Sequence, residues 1–212
     1  MGNLKIRTQV LGLIGTNCYL VFDDEKKEAV IIDPADNGAL ILNQCRELDV
    51  VPRAVLLTHG HFDHICAVPD LVRAFRIPVY AGEKETEILK DPSLNLSAAY
   101  GQGVSIRQVE PLSDGQELSL LGRTWKVLAT PGHTGGSVCY YLPKDKVLFS
   151  GDTLFNESYG RTDFPTGSSR ELADSVVNRL LTLPEEVNVY PGHESQTTIG
   201  HEKKYNPLAA YR

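Results

Sequence analysis

The chain has 212 residues, of which 42% are hydrophobic, and carries 21 Lys and Arg against 27 Asp and Glu, a formal net charge of −6. This length and composition predict a single globular domain over residues 1–212 that buries one large core. The acidic balance argues against a nucleic-acid partner, and the absence of any run of eighteen apolar residues argues against a membrane partner.

The first half of the chain predicts strands and helices from the spacing of its apolar residues. Alternating or short apolar runs predict strands at residues 4–10, 17–22, 28–33 and 53–58. Apolar residues at helical spacing predict helices at residues 39–48, 65–76 and 82–90. The chain therefore opens as a β meander followed by a helix, and strands and helices alternate after it.

The second half of the chain is richer in strand signals. Short apolar runs predict strands at residues 104–110, 116–122, 124–130, 137–143, 146–150 and 187–192. Ser168 and Glu171 form a capping box that predicts a helix starting near residue 170 and ending near 183. Mixed strands and helices of this kind predict an α/β fold.

The segment THGHFDHI at 58–65 holds three of the six histidines of the chain. Three other predicted strands also lead into a residue that can ligate a metal. In chain order, these four strands lead to His59, His133, Asp152 and His193. If the strand ends meet along one edge of a layered sheet structure, the side chains converge in one place.

The donor atoms of this set suit a metal ion. The pattern His-x-His-x-Asp-His offers imidazole nitrogens and a carboxylate oxygen, which zinc and related first-row ions prefer. The alternative, that each histidine is an ordinary core or surface residue, must explain four separate strand ends at once. A cluster of neutral imidazoles with carboxylates pairs most naturally through a cation. His201 has no such company, and we expect it to be a solvated residue.

The four cysteines, Cys18, Cys45, Cys66 and Cys139, are scattered without a C-x-x-C pair, and the sequence shows no secretion signal. We therefore expect reduced thiols that pack as small hydrophobic residues in a cytoplasmic protein. Cys66 could be an exception to this packing role, because it lies two residues beyond His64 and could approach the group that this histidine binds.

The segments THGHFDH, TPGHTGGS, SGDTLF and YPGH, in this order, resemble the metallo-β-lactamase superfamily. GRTDFPTG and the closing KYNP narrow the resemblance to small glyoxalase II-like, or hydroxyacylglutathione hydrolase-like, enzymes. The resemblance covers nearly the whole chain and implies an αββα sandwich with the site at one edge of the paired sheets. It implies a first metal ion on His59, His61 and His133, a second on Asp63, His64 and His193, and Asp152 bridging the two.

The resemblance also implies the chemistry. Two divalent ions, zinc before iron or manganese, would share a water and lower its pKa from 15.7 to about 7. No G-x-S-x-G segment offers a covalent alternative. A thiol leaves readily as a thiolate, so we expect hydrolysis of thioesters such as S-lactoylglutathione or related S-acyl thiols, with Asp63 and Asp152 as catalytic carboxylates. Some β-lactam-hydrolysing relatives have cysteine at position 152, so Asp152 favours the thioesterase branch.

The segment GRTDFPTG follows Asp152 closely, so we expect it to lie over the site. Arg161 would pair with a carboxylate of the substrate, and Phe164 would cover the acyl group. In the alternative reading, which we weigh equally, Arg161 and Asp163 simply bond each other within a structural loop.

Two rival functions fit the same motifs. A mononuclear iron persulfide dioxygenase is a relative that would use His59, His133 and Asp152, although such relatives have alanine where Gly192 stands here. A non-catalytic binding module of the same fold predicts eroded ligand positions, and none is eroded. The identity of the metal, the number of ions, the physiological thiol and the oligomeric state stay open at this stage.

Overall fold

The computed structural model describes residues 4–101 and 103–211. The strands are β1 (Leu4–Leu11), β2 (Thr16–Asp23), β3 (Glu28–Ile32), β4 (Val51–Leu56), β5 (Val79–Gly82), β6 (Glu110–Leu112), β7 (Glu117–Leu120), β8 (Arg123–Ala129), β9 (Val138–Leu142), β10 (Val147–Gly151), β11 (Leu154–Phe155), β12 (Ser158–Tyr159), β13 (Asn188–Pro191) and β14 (Thr197–Thr198). The α-helices are α1 (Gly38–Glu47), α2 (Phe62–Ile65), α3 (Val68–Phe75), α4 (Thr86–Lys90), α5 (Ser169–Asp174) and α6 (Ile199–Tyr205). Helix α5 continues through a π turn at Ser175–Arg179 and a 3-10 turn at Leu180–Thr182, and further 3-10 turns lie at Glu83–Glu85, Ser97–Tyr100 and Pro207–Tyr211.

The strands form two six-stranded sheets and a small separate hairpin. The first sheet has the order β1-β2-β3-β4-β5-β6, antiparallel from β1 to β3 and parallel from β3 to β6. The second has the order β14-β13-β10-β9-β8-β7, in which only the β10–β13 pair is parallel. Strands β11 and β12 pair with each other.

Three apolar layers hold these elements together. Along β3, Ile31 points to the layer under α1 and α3, whereas Val30 and Ile32 point to the layer between the sheets. Trp125 and Phe149 stack in that central layer with ring centroids 6.0 Å apart. A third layer lies between the second sheet and the helices of the C-terminal part. Central strands covered on both faces are apolar throughout, and the molecule is the αββα sandwich that the resemblance implied.

The two sheets are joined at the edge where the ligand-type residues lie. The backbone N–H of Asn17 in β2 donates to the carbonyl of Gly192 beyond β13 at 2.7 Å, and Val138 N–H donates to the carbonyl of Thr58 at 2.8 Å. These bonds cross from one sheet to the other. The segments that follow β4, β10 and β13 are therefore held next to each other.

Some predicted elements differ from the structure. The predicted strand at 104–110 is irregular up to Glu110, because side chains replace its strand partners: Asn95 Nδ2 donates to the Val104 carbonyl, and Val104 N–H donates to Ser97 Oγ. The predicted helix at 65–76 corresponds to α3, which starts at Val68, and the preceding short helix α2, which ends at Ile65, was not predicted. Pro69 lies in the first turn of α3, a position where a missing N–H costs little.

Other predictions agree with the structure. The Ser168 hydroxyl accepts from the N–H of Glu171, as the capping box predicted, and the helical path runs to Thr182. Strands β5, β11, β12 and β14 and helix α6 were not predicted. Among residues 4–101 and 103–211, no helix combines the length and apolar character needed to cross a membrane.

Candidate metal centre

All seven residues proposed as ligands come together at the joined edge of the two sheets. Their ligand atoms form three overlapping groups, in each of which the atoms lie within 4.8 Å of one another. The groups are His59, His61 and His133; His59, His64 and Asp152; and Asp63, His64 and His193. The strand ends thus converge as the sequence predicted.

The first and third groups are compact. Nδ1 of His61 lies 2.8 Å from Nε2 of His133. In the third group, Oδ2 of Asp63 lies 3.4 Å from Nε2 of His64 and 3.2 Å from Nε2 of His193. Each group therefore presents its donor atoms to a single small volume.

Asp152 lies between these groups. Its Oδ1 is 3.4 Å from Nε2 of His64, and its Oδ2 is 3.5 Å from Nε2 of both His133 and His193. One carboxylate therefore reaches histidines of both groups, which is the arrangement a bridging ligand requires.

The donor atoms lack partners within the protein. Nε2 of His59, Nε2 of His64 and Oδ1 of Asp152 are buried and have no hydrogen-bond partner. Leaving several such atoms desolvated and unpaired costs folding free energy, whereas a cation would satisfy all of them. Zinc, iron or manganese fits this set of nitrogen and carboxylate donors.

Burial sets the charge state of the first group. Burial and neighbouring imidazoles hold the pKa of His59 well below its ordinary value and lower that of His61 to about 3. Burial alone would raise the pKa of Asp63, but the adjacent His64 and the hydrogen bonds from His193 and Thr16 together outweigh it and bring the value to about 2. Neutral imidazoles and an ionised carboxylate are the forms that bind metal.

Hydrogen bonds orient the imidazole rings. Nδ1 of His64 lies 2.9 Å from Oδ2 of Asp33, and Nδ1 of His133 donates to the carbonyl of Arg161 at 2.7 Å. In both rings Nε2 is left to face the centre. Asp33 also accepts from the N–H and the hydroxyl of Thr58, so it is itself held firmly. Such contacts fix the tautomer and direction of metal-binding imidazoles.

Glu85 is a functional candidate that the sequence did not reveal. Its buried carboxylate accepts from the N–H of Gly60 at 2.7 Å, the hydroxyl of Thr134 at 2.6 Å and the N–H of Gly136 at 2.9 Å. It thus ties the loop of the opening motif to the loop that carries His133. No local pattern marks Glu85, since its partners are distant in the chain.

Gly192 is required by the closeness of the ligands. A Cβ atom at this position would lie 2.2 Å from Oδ1 of Asp152 and 2.8 Å from Cε1 of His64. Neither neighbour can move away without leaving its place in the centre. Gly192 therefore makes room for the carboxylate that lies between the groups.

The proposed substrate residues line a cavity of about 390 Å³ that opens on the centre. Arg161 and Phe164 both border it, but the Arg161 guanidinium donates two hydrogen bonds to Asp163, at 2.7 and 2.6 Å. The guanidinium carbon also lies 3.9 Å above the Phe164 ring. The Arg161–Asp163 pair of the alternative hypothesis is therefore present in the structure. Arg161 nevertheless lies at the wall of the cavity.

Two further residues singled out in the sequence lie outside the ligand groups. The thiol of Cys66 donates to the carbonyl of Phe62 at 3.0 Å, and burial raises its pKa to about 11. Nε2 of His201 lies 2.9 Å from a carboxylate oxygen of Glu157 at a partly exposed position. All four cysteines are free thiols.

The family of the chain follows from a comparison with known families. The family described as the metallo-beta-lactamase superfamily matches residues 11–193. The chain belongs to the metallo-β-lactamase superfamily. The resemblance stated from the motifs is thereby confirmed.

Individual relatives within this superfamily are similar over nearly their whole length. A probable metallo-hydrolase of Streptococcus pyogenes is 38% identical, over 97% of this chain and 90% of the relative. The hydroxyacylglutathione hydrolase GloC of Haemophilus influenzae is 34% identical, over 91% of this chain and 92% of the relative. With the histidine cluster, these relatives support a metal-dependent hydrolase.

Solved structures agree with the fold and with a metal centre. The crystal structure of the B3 metallo-beta-lactamase BLEG-1 is 41% identical, with a TM-score of 0.91, over 96% of this chain and 99% of that one. The crystal structure of TTHA1623 in a di-iron-bound form is 38% identical, with a TM-score of 0.86, over 95% and 99% of the two chains.

Proposed function

We propose that this protein is a dinuclear metallohydrolase of thioesters, acting on S-lactoylglutathione or related S-acyl thiols, with zinc as the preferred metal. One observation carries the proposal: seven ligand-type side chains converge beside a cavity and leave buried nitrogen and oxygen atoms without protein partners. The similarity to a hydroxyacylglutathione hydrolase supports the thioester class.

The ligands divide into two sets in this proposal. His59, His61 and His133 hold one ion; Asp63, His64 and His193 hold the other; Asp152 joins them. When bound, the ions supply a hydroxide at neutral pH and polarise the substrate carbonyl. The chain's own contribution would be to keep His59 and His61 neutral, to orient His64 and His133, and to keep both carboxylates ionised, which the buried contacts support.

The leaving group suits this site. A thiol with a pKa of about 8.5 departs as a thiolate and needs little help from a general acid. Covalent catalysis by Cys66 is disfavoured, because its thiol donates a hydrogen bond to the Phe62 carbonyl and the pKa of the thiol is raised to about 11. Water is therefore the proposed nucleophile.

Arg161 and Phe164 are the proposed substrate contacts. Phe164 is half-buried beside His61, with ring centroids 5.6 Å apart, so it can cover an acyl group at the centre. Two of the five N–H donors of Arg161 engage Asp163, so the charge of Arg161 is offset, and a substrate carboxylate would have to bind the remaining donors beside Asp163.

Metal analysis combined with turnover tests the proposal. Protein produced under controlled metal supply is assayed with S-lactoylglutathione and, separately, with glutathione persulfide while oxygen is monitored. We expect two zinc-class ions with thioester cleavage, and His59→Ala and His64→Ala should each lower the metal content by about one ion. One iron with oxygen consumption, or full metal content and activity in His64→Ala, would contradict the dinuclear hydrolase.

A second candidate is β-lactam hydrolysis, which the 41% identity with BLEG-1 favours. A chromogenic cephalosporin assayed beside S-lactoylglutathione separates the two. We expect a much larger kcat/KM for the thioester. The opposite order would replace the proposed substrate class and leave the metal centre in place.

A further inference from the structure

The mouth of the cavity is bordered by exposed apolar and aromatic side chains. Ile14, Tyr100 and Tyr159 line the cavity, yet 46%, 47% and 41% of their surfaces are exposed. They come from the turn between β1 and β2, a 3-10 turn and β12, which are far apart in the chain. Exposed apolar side chains that gather around a cavity mouth mark a site for an apolar ligand.

The apolar surface continues from the mouth to the candidate metal centre. The Tyr100 ring stacks on Phe62, with centroids 4.1 Å apart and planes inclined by 19°. Phe62 is buried and directly precedes Asp63. The Phe164 ring packs against His61, and Phe62 and Phe164 both line the cavity. A substrate that reaches the centre therefore passes along aromatic rings.

The described side chains at the cavity mouth provide no excess positive charge for an anionic arm of a substrate. Among the described residues that line it, Arg161 is the one Lys or Arg side chain, and Asp163 engages it through both carboxylate oxygens. The exposed side chain of Glu194 also borders the cavity. A carboxylate on the outer arm of a substrate would meet a guanidinium whose charge Asp163 offsets and the like charge of Glu194, and both lower its affinity.

We propose that the cavity selects thioesters whose arms are apolar and uncharged over thioesters of anionic thiols such as glutathione. Ile14, Tyr100 and Tyr159 cover the apolar arm, and the aromatic path places its carbonyl at the centre. This inference rests on the proposed thioester hydrolysis and narrows its substrate class.

Two substrate series test the selection on the zinc-loaded protein. The first holds the thiol constant as N-acetylcysteamine and lengthens the acyl group from acetyl to butanoyl to hexanoyl. Each methylene that the mouth buries should raise kcat/KM by up to about fourfold. The second compares acetyl thioesters of 3-mercaptopropionate and of its methyl ester, which differ in one charge. The acetyl thioester of the methyl ester should have a severalfold higher kcat/KM than the acetyl thioester of 3-mercaptopropionate.

Variants connect the selection to the named residues. Tyr100→Ser and Ile14→Ser should lower kcat/KM for the hexanoyl substrate more than for the acetyl substrate, and so weaken the dependence on acyl length. Val10→Ser is the matched control, because Val10 is 67% exposed but does not line the cavity. Asp163→Asn should release Arg161 and raise kcat/KM for the 3-mercaptopropionate thioester relative to its methyl ester. Thermal melting checks that each variant is folded.

The outcomes separate this inference from the proposed function. Hydrolysis without dependence on acyl length, or a preference for the charged thioester in the wild type, would overturn the inference and leave thioester hydrolysis standing. Equal effects of Tyr100→Ser and Val10→Ser would also overturn it. Absence of turnover with every thioester would overturn the proposed function, and the inference with it.

Discussion

The backbone N–H of Gly60 donates a 2.7 Å hydrogen bond to Oε2 of Glu85, a carboxylate that is buried beneath the opening histidine motif. Gly60 stands between His59 and His61, so this bond fixes the backbone from which both side chains project. Glu85 itself lies in a short 3-10 turn that follows β5. A buried acidic residue thus positions part of the candidate metal centre without touching it.

Glu85→Gln should destabilise the protein and loosen the metal. The amide offers one acceptor oxygen in place of two, so at least one of the three buried donors loses its partner, at a cost of about 1–3 kcal/mol. Urea unfolding measures the loss, and competition with a chelator measures metal retention. Glu87→Gln is the control, because Glu87 is an exposed acid nearby. Wild-type values for both quantities in Glu85→Gln would contradict the positioning role.

The same carboxyl predicts a pH dependence of stability. Burial raises the pKa of Glu85 from 4.5 to about 7. Between these values the folded state keeps a proton that the unfolded state has lost, so this contribution is complete below pH 4.5 and disappears as the pH rises through 7. The free energy of unfolding of the wild type, relative to Glu85→Gln, should fall by roughly 3 kcal/mol across this window. A flat difference between the two proteins from pH 5 to 8 would refute the assignment.

Asp33→Asn should weaken metal binding through His64. The Asp33 carboxylate lies 2.9 Å from Nδ1 of His64 and accepts two bonds from Thr58, so an amide cannot serve all three donors. Loss of such a supporting contact lowers metal affinity roughly 10–100-fold. Isothermal titration with zinc measures the change. Asp36→Asn, at a partly exposed acid on the same loop, should bind zinc like the wild type.

Asp152→Ala should abolish turnover in metal-replete buffer while the protein stays folded. The substitution removes the carboxylate that lies between His64 on one side and His133 and His193 on the other, whereas the core layers are untouched. The lost free energy is transition-state stabilisation, so kcat/KM falls and the circular dichroism spectrum does not change. A kcat near that of the wild type would contradict the dinuclear mechanism.

Gly192→Ala should reduce both metal content and activity. The added methyl carbon would lie 2.2 Å from Oδ1 of Asp152, a distance that real contacts do not sustain, so the carboxylate must leave its position. Gly135→Ala is the matched control, because its Cβ would make only an ordinary 3.6 Å contact with Thr166. Elemental analysis of both variants, purified identically, decides the matter. Full metal content in Gly192→Ala would contradict the prediction, because it would show that Asp152 can move away from the added methyl group and still bind metal.

The ligand-type residues could be predicted because their signal is local. Histidines and aspartates directly after apolar strands are visible in sequence, and strand ends in layered folds converge. The strand boundaries were less predictable where side chains form hydrogen bonds with backbone groups that would otherwise pair with a neighbouring strand. Residues 104–109 contain Val104, Ile106 and Val109 and were predicted as part of a strand, yet Asn95 and Ser97 occupy the backbone groups of Val104. Such non-local competition leaves no trace in the pattern of apolar residues.

The sequence by itself determined the fold class, the family and the candidate ligands, because each depends on residue type and spacing within short segments. Only the tertiary structure decided which side chains support those ligands and which border the cavity. Asp33 and Glu85 support the centre through hydrogen bonds to residues some 25 positions away or more, and Tyr100 and Ile14 border the same cavity mouth from distant segments. Contacts of this kind exist only once the chain has closed the loops that bring their partners together.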